Sequence, residues 1–417
     1  MSLNHSPRFV FVVCFVLILF SSCKKDNEVL CDPTPVFDID LFVENVLEVL
    51  NDDSQQVSGY QFVVSKNGNK YFSDADGFER HQNDNLGERL FTENTYMNVA
   101  SVSKFIGAIA LLHALEKRGL DIDDPIYPYL PERWQNRMDA GYKVKPDINN
   151  FSNEPSFYLT FRKILQMQTG IPFPPADNGN VNPGQMPTTD EMLRGLSTSG
   201  NESLIGTYQN GNFTLIRVLI GEMEYQLNDS VSTYNLNTAN AYFTYLKDNI
   251  FDPLNINNPL LSVNSINSYF NNNNHVMAYQ YPFNVNFTDG SGRIGWPADN
   301  TPEDNGGSGG LMLNATEIAK IAAYLKHDNA ETLLSAAYRN DLLNNELGLI
   351  ESTDGKYGRY QSKGGTRGAD GNSRALRSRV MFFPNDVEAV LLVNCNYTTM
   401  GTLLRSSYDS AWVNPCK

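Results

Sequence analysis

The stretch Ser101-Val102-Ser103-Lys104-Phe105-Ile106-Gly107-Ala108-Ile109-Ala110-Leu111-Leu112-His113-Ala114-Leu115 runs on to Arg118 and stops at Gly119. From Phe105 onward it is apolar nearly all round, which predicts a helix buried on every side. Gly119 suits the left-handed residue that ends such a helix. Residues three apart share a helix face, so the amine of Lys104 lies one turn beyond the hydroxyl of Ser101 and can reach its proton. A serine hydroxyl is a poor nucleophile at neutral pH. Lysine serves as its base only when desolvation and nearby positive potential take the lysine pKa well below its usual value of about 10.4. The start of a buried helix supplies both. The bare pattern recurs at Ser21-Lys24 and Ser22-Lys25, so context has to carry the reading.

Working outward, Asp38 or Asp40 caps a helix whose Ile39, Val43, Val46 and Leu50 fall on one stripe. Tyr60 to Lys66 and the run from Lys70 flank Asn67-Gly68, a pair suited to the positive φ angles of a tight hairpin turn. A second hairpin brackets Pro384, Asn385 and Asp386, between Arg379 to Phe383 and Val387 to Asn394, and a last helix runs from about Thr399 to Trp412. The middle third, Ile126 to about Asn300, has no sustained strand pattern. These elements predict an α/β (α+β) fold in which an antiparallel sheet lobe is interrupted by a mainly helical lobe. Gln135 to Ser156 and Ser262 to Asn305, with the run Asn271 to Asn274, read as long polar loops.

Three further stretches complete the context. Ile164-Leu165-Gln166-Met167-Gln168-Thr169-Gly170-Ile171-Pro172 follows Leu120-Asp121-Ile122-Asp123-Asp124-Pro125; Tyr208-Gln209-Asn210 precedes an apolar run from Phe213 to Ile220; and Lys363-Gly364-Gly365-Thr366-Arg367-Gly368 lies near the end. With these motifs in this order, the chain resembles the serine β-lactamase and penicillin-binding-protein superfamily over nearly all of residues 38 to 412, in its group of class C β-lactamases, D-alanyl-D-alanine peptidases and esterases. The resemblance implies a β-lactamase/transpeptidase-like fold and a hydrolase that forms an acyl-enzyme on Ser101, with Lys104 as base.

It also implies roles for the other motifs. Tyr208 would relay a proton to the leaving group, its pKa lowered by Lys104 and Lys363, and Asn210 would hydrogen-bond the substrate amide and Lys104. Lys363 would hold a substrate carboxylate or tune Tyr208, while Gly364 and Gly365 let substrate lie against the strand edge. The backbone N–H groups of Ser101 and Thr366 would form an oxyanion hole, each donor worth roughly 3 or 4 kcal/mol. Two places depart from the family pattern. Met167 stands where His is usual, with Gln168-Thr169 for Thr-Ser, and Gly364 replaces a threonine whose hydroxyl commonly helps bind a carboxylate. Gly364 counts against both β-lactam hydrolysis and recognition of a C-terminal peptide, and together with the departures near Met167 it favours a peptidase, esterase or amidase over a dedicated β-lactamase. The implied substrate is a D-amino-acid or cell-wall peptide, a small ester or amide, or a β-lactam.

Competing readings exist for each motif. Tyr96-Met97-Asn98 also matches the tyrosine pattern, and the competing reading of Lys363 to Gly368 is a glycine-rich surface turn with a solvated lysine. Gly306-Gly307-Ser308-Gly309-Gly310 matches a nucleophile elbow, but the stretch before it is polar and the only later histidine is His327. His5, His81, His113, His275 and His327 are scattered without ligand spacing. A catalytically silent binding or sensor protein on the same fold is the alternative to an enzyme.

Arg8 precedes an unbroken apolar run from Phe9 to Phe20, then Ser21, Ser22 and Cys23. That is a secretory signal, too short for a bilayer span of about 20 residues. Small residues followed by Cys resemble a bacterial lipoprotein processing site, although an ordinary signal peptide is the competing reading. The organisation expected is a signal over residues 1–22, a lipidated tether over 23–37 beginning at Cys23, a hydrolase domain over 38–412 and a tail over 413–417, with the sheet lobe from 38–125 and 300–412 and the helical lobe from 126–299. The protein is thus expected in the bacterial cell envelope, held by its lipid at the outer membrane, on the periplasmic or surface face. A net charge of −15 excludes nucleic acid, which needs a basic stripe. Cys31, Cys395 and Cys416 offer no metal cluster, and two-step acyl transfer needs no metal or organic cofactor. Cys31 and Cys416 lie near the two ends of the mature chain, and domain termini are often close, so a disulfide joins them in this reading. Nothing in the sequence specifies an oligomeric state.

Overall fold

The computed structural model describes residues 34–52, 57–84, 86–139, 159–171, 187–196, 205–284, 286, 294–298, 301–349, 351–368 and 373–416. Cys23 and Cys31, the signal and most of the tether lie outside them. Cys416 is disulfide-bonded, and Cys395 is a buried free thiol. No helix among the described residues is long and apolar enough to cross a membrane.

Helix α1 (Ile39–Leu50) starts at Asp38, not Asp40: the Asp38 carboxylate accepts the backbone N–H of Leu41 at 3.1 Å. The hairpin that follows, β1 (Gly59–Lys66) and β2 (Asn69–Arg80), turns through Asn67 at φ 51° and Gly68 at φ 75°. With β3 (Arg89–Leu90), β4 (Glu351–Gly355), β5 (Gly358–Gly368), β6 (Ala375–Phe383) and β7 (Val387–Val393), they form one seven-stranded antiparallel sheet in the order β3-β2-β1-β7-β6-β5-β4. The early strand β1 and the late strand β7 therefore meet at its centre, where Val63 pairs with Val390.

Period-two alternation explains the layering. Phe62, Val64, Phe383 and Leu391 pack with α1 and the last helix, α6 (Met400–Ser410), on one face. Val63, Val380, Phe382 and Val390 point the other way, into a core shared with α2 (Val102–Arg118). Because helices cover both faces, every residue of β7 is buried. The second core is continuous with the helical lobe through α3 (Asn210–Tyr225), α4 (Tyr234–Leu246) and α5 (Ala315–His327), so sheet and lobe share one interior.

The long stretch from Ser262 to Asn305 is more ordered than its composition suggests. A helix over Val263–Asn271 is capped by the Ser262 hydroxyl, which accepts the Ser265 N–H at 3.0 Å, and the carbonyls of Asn273 and Asn274 accept from Arg80 and Arg89. Most of the other polar stretch lies outside the described residues, after a helix over Glu132–Asp139.

Candidate active site

The nucleophile candidate owes its position to a strained approach. Ala100 is held at φ 47°, a left-handed conformation costly for a residue with a side chain. Three contacts hold it there. The Ala100 N–H donates to Asn98 Oδ1 at 2.7 Å, the Val99 N–H to the Leu311 carbonyl at 3.1 Å, and the Ser378 hydroxyl on β6 to the Val99 carbonyl at 2.6 Å. Ser101 then sits at the N-cap of α2, and α2 ends at Gly119 with φ 65°, as its sequence requires.

Lys104 Nζ lies 3.2 Å from Ser101 Oγ, and Tyr208 Oη lies 2.6 Å from it on the other side. The lysine is fully buried, donates to the Ser308 carbonyl, and stands 5.1 Å from the Tyr208 ring centroid and 5.9 Å from that of Phe213. Burial, then the charge of Lys363, drive its pKa well below 10.5, so an amine free to accept a proton is within reach. Lys363, on β5, is itself pushed down to about 8 by burial, against the pull of Glu351, and stands 5.8 Å from the Tyr208 ring.

Tyr208 departs from expectation. The two lysines were to lower its pKa; burial instead raises it to about 12, against the smaller lowering by its hydrogen bond to Ser101. The residue is nevertheless 42 % exposed along the cleft. A pKa raised to about 12 keeps the phenol protonated at neutral pH. Met167 supports it: its Sδ accepts the Gln209 N–H at 3.0 Å and its carbonyl accepts the Gly206 N–H at 3.0 Å. Thr169 adds a latch to Asn212 at 2.6 Å. The residues where the family pattern fails thus hold the loop that carries the phenol.

A cavity of about 620 Å³ opens on this cluster and is lined by Ser101, Tyr208, Asn210, Lys363, Gly364, Gly365 and Thr366, so the structure brings these candidates together. Gly365 is there for a steric reason: a Cβ on it would lie 2.4 Å from Ser378 Oγ, 2.5 Å from the Val99 carbonyl and 2.8 Å from the Ser101 nitrogen. Only a bare backbone lets β5 pass this close to the nucleophile.

The competing motifs have other duties. Ser308 is fully buried and bonded to Asn305 O and Thr214 Oγ1, each at 3.1 Å, and a Cβ on neighbouring Gly307 would meet the Phe213 carbonyl at 2.3 Å. That glycine run is a packing seam, not an elbow. Tyr96 faces Glu317 at 3.3 Å and Asn98 braces Ala100. His113 lies 2.7 Å from the Tyr245 hydroxyl inside the helical core. Among the described residues no group of three His, Cys, Asp or Glu side chains is placed to hold a metal. The sequence reading missed Glu351, Arg377 and Arg379, which also line the cavity. Their signal is cross-strand register, such as Gly364 opposite Arg379, which sequence alone does not reveal.

An antiparallel sheet between helix layers, with a serine-lysine helix at its edge, is the β-lactamase/transpeptidase-like architecture. The chain belongs to the beta-lactamase family, whose model matches residues 42–405. It is similar in structure to D-amino acid amidase from Ochrobactrum anthropi SV3, with a TM-score of 0.60 and 15% identity over 89% of this chain and 98% of that one. A penicillin-binding protein homologue from Pyrococcus abyssi gives 0.57 and 17% over 88% and 76%, and a class C beta-lactamase gives 0.56 and 13% over 89% and 98%. At these identities the likeness is one of fold. No curated protein matches the sequence. Proteins of this family are generally serine hydrolases.

Proposed function

We propose that the protein is an exported serine hydrolase that cleaves an amide or ester bond through an acyl-enzyme on Ser101. The observation that carries this reading is the trio of atoms at the head of α2: a hydroxyl with a depressed lysine amine 3.2 Å to one side and a phenol 2.6 Å to the other. Ser101 Oγ attacks the carbonyl carbon as Lys104 takes its proton, and the oxyanion forms between the backbone N–H groups of Ser101 and Thr366. The proton passes through Tyr208 to the departing amine or alcohol, and water then releases the acyl group by the reverse path. No step calls on a metal or an organic cofactor.

A peptidase, esterase or amidase acting on a cell-wall peptide or small molecule fits better than a dedicated β-lactamase, because Gly364 brings no hydroxyl to the strand edge. Lipidation at Cys23, tethering the domain to the outer membrane, belongs to the same proposal. Covalent labelling of the purified protein by a fluorophosphonate tests it: labelling that disappears in Ser101→Ala supports the hydrolase, and a wild type that stays unlabelled supports a silent binding protein instead.

A further inference from the structure

The carbonyl that receives the Lys104 amine belongs to Ser308, and α3 sets where Ser308 lies. Ser308 closes a turn on Asn305. Its own N–H and that of Gly309 donate to the Asn305 carbonyl, each at 3.0 Å, and its hydroxyl donates to the same oxygen at 3.1 Å. With that proton committed, Ser308 Oγ can only accept, and the Thr214 hydroxyl on α3 reaches it at 3.1 Å. Thr214 Oγ1 also lies 3.2 Å from the carbonyl of Asn210, the first residue of α3 and the end of the Tyr208 motif. One hydroxyl pair therefore ties the segment that receives Lys104 to the start of the helix that follows Tyr208.

A second anchor sits one turn along the same face of α3. Arg217, fully buried, donates Nη2 to Asn235 Oδ1 at 2.6 Å, and Asn235 Nδ2 donates to Asp304 Oδ1 at 2.8 Å, in the short helix Pro302–Asn305 that precedes Ser308. At the other end of the segment the Leu311 N–H donates to the Ser103 hydroxyl of α2 at 3.2 Å. Between these two fixed points Gly306, Gly307, Gly309 and Gly310 bring no side chains of their own, so Ser308 is held by its hydroxyl. Thr214 and Ser308 are both fully buried, where a hydroxyl contact is strong and its loss is not made good by water.

We propose that Thr214 is a positioning residue for the base: by holding Ser308 it fixes the carbonyl that orients the Lys104 amine toward Ser101. The consequence for acylation rests on the hydrolase reading. The placement of the amine does not, and it is assigned to a residue that does not line the cavity.

Magnetic resonance on the full chain, isotopically labelled at the lysine ε-carbons, reads the titration of Lys104 directly, its signal assigned by its loss in Lys104→Arg. Thr214→Val keeps the side-chain shape and removes the hydroxyl. A carbonyl that drifts away stabilises the ammonium less, so the Lys104 midpoint is expected to fall by about half a pH unit or more. Fluorophosphonate labelling on the high-pH plateau is expected to slow about tenfold, because the neutral amine is no longer aimed at Ser101. Thr214→Ser should restore both. Ser308→Ala removes the same contact from the other side and should give the same shift, with none added in the double variant. Among the described residues the titratable groups facing Lys104 are Tyr208 and Lys363, and none of these variants alters them. An unmoved midpoint in Thr214→Val, even with a lower melting temperature, overturns the proposal; if that variant does not fold, an unmoved midpoint in Ser308→Ala does so. The resonance needs no turnover, so the two readings fail separately. A shifted midpoint in a protein that stays unlabelled defeats only the hydrolase, and a labelled protein with an unmoved midpoint defeats this proposal alone.

Discussion

Ser101 Oγ and Tyr208 Oη meet at 2.6 Å across 107 positions of sequence. The contact joins the helix that starts at the sheet edge to a loop of the helical lobe, so the site exists only where the two lobes share their core. Each partner is fixed from behind, Ser101 by the braced Ala100 and Tyr208 by Met167. Such preorganisation keeps a hydroxyl, an amine and a phenol in line without rearrangement during reaction.

In the proposed mechanism, replacing Tyr208 by Phe removes the relay and leaves the nucleophile and its base. Departure of an amine should slow about 10²- to 10⁴-fold. Fluorophosphonate labelling, whose fluoride leaves without a proton, should slow far less. Comparing the two rates in one variant checks this.

In the proposed mechanism Lys104→Arg keeps a long basic side chain but removes the base, since arginine does not give up its proton. Labelling of Ser101 should fall by about 10²-fold or more. A labelling time course on folded variant, verified by circular dichroism, is the measurement.

Acylation should depend on pH in a direction the burial of two lysines dictates. In the proposed mechanism Lys104 acts only when neutral, and its pKa lies well below 10.5, so the labelling rate should rise as pH climbs through that depressed value. Lys363 loses its charge at about 8, and anionic ligands should bind more weakly above it. Lys363→Met removes a neighbouring cation and should move the rising limb of the labelling profile to higher pH, because the Lys104 pKa goes up.

Gly365→Ala places a methyl against backbone atoms that have nowhere to go. The expected cost is about 1–3 kcal/mol of stability, with loss of labelling as β5 moves off the nucleophile. Thermal melts with labelling assays test it.

Much of this was legible in the sequence because it is local. The buried helix after Ser101, the Asn67-Gly68 turn and the alternating strands are written in neighbouring residues, and the motif order brought Tyr208 and Lys363 to the same cleft. What escaped depends on burial and register. The helix at Val263–Asn271 buries only Val263 and Ile266, so its Asn and Ser content masked it. The Tyr208 pKa rose because burial takes the phenolate out of water, which outweighs the lowering by its hydrogen bond with Ser101. Arg379 became visible only once Gly364 was seen to lie across from it.

The central claim, a covalent acyl-enzyme on Ser101, is tested most directly by intact-mass analysis of the protein during its reaction with p-nitrophenyl acetate. The expected result is a single acetyl adduct on the peptide carrying Ser101, formed with a burst of nitrophenolate and absent from Ser101→Ala. Nitrophenolate release with no adduct, or an adduct that persists in Ser101→Ala, would contradict it.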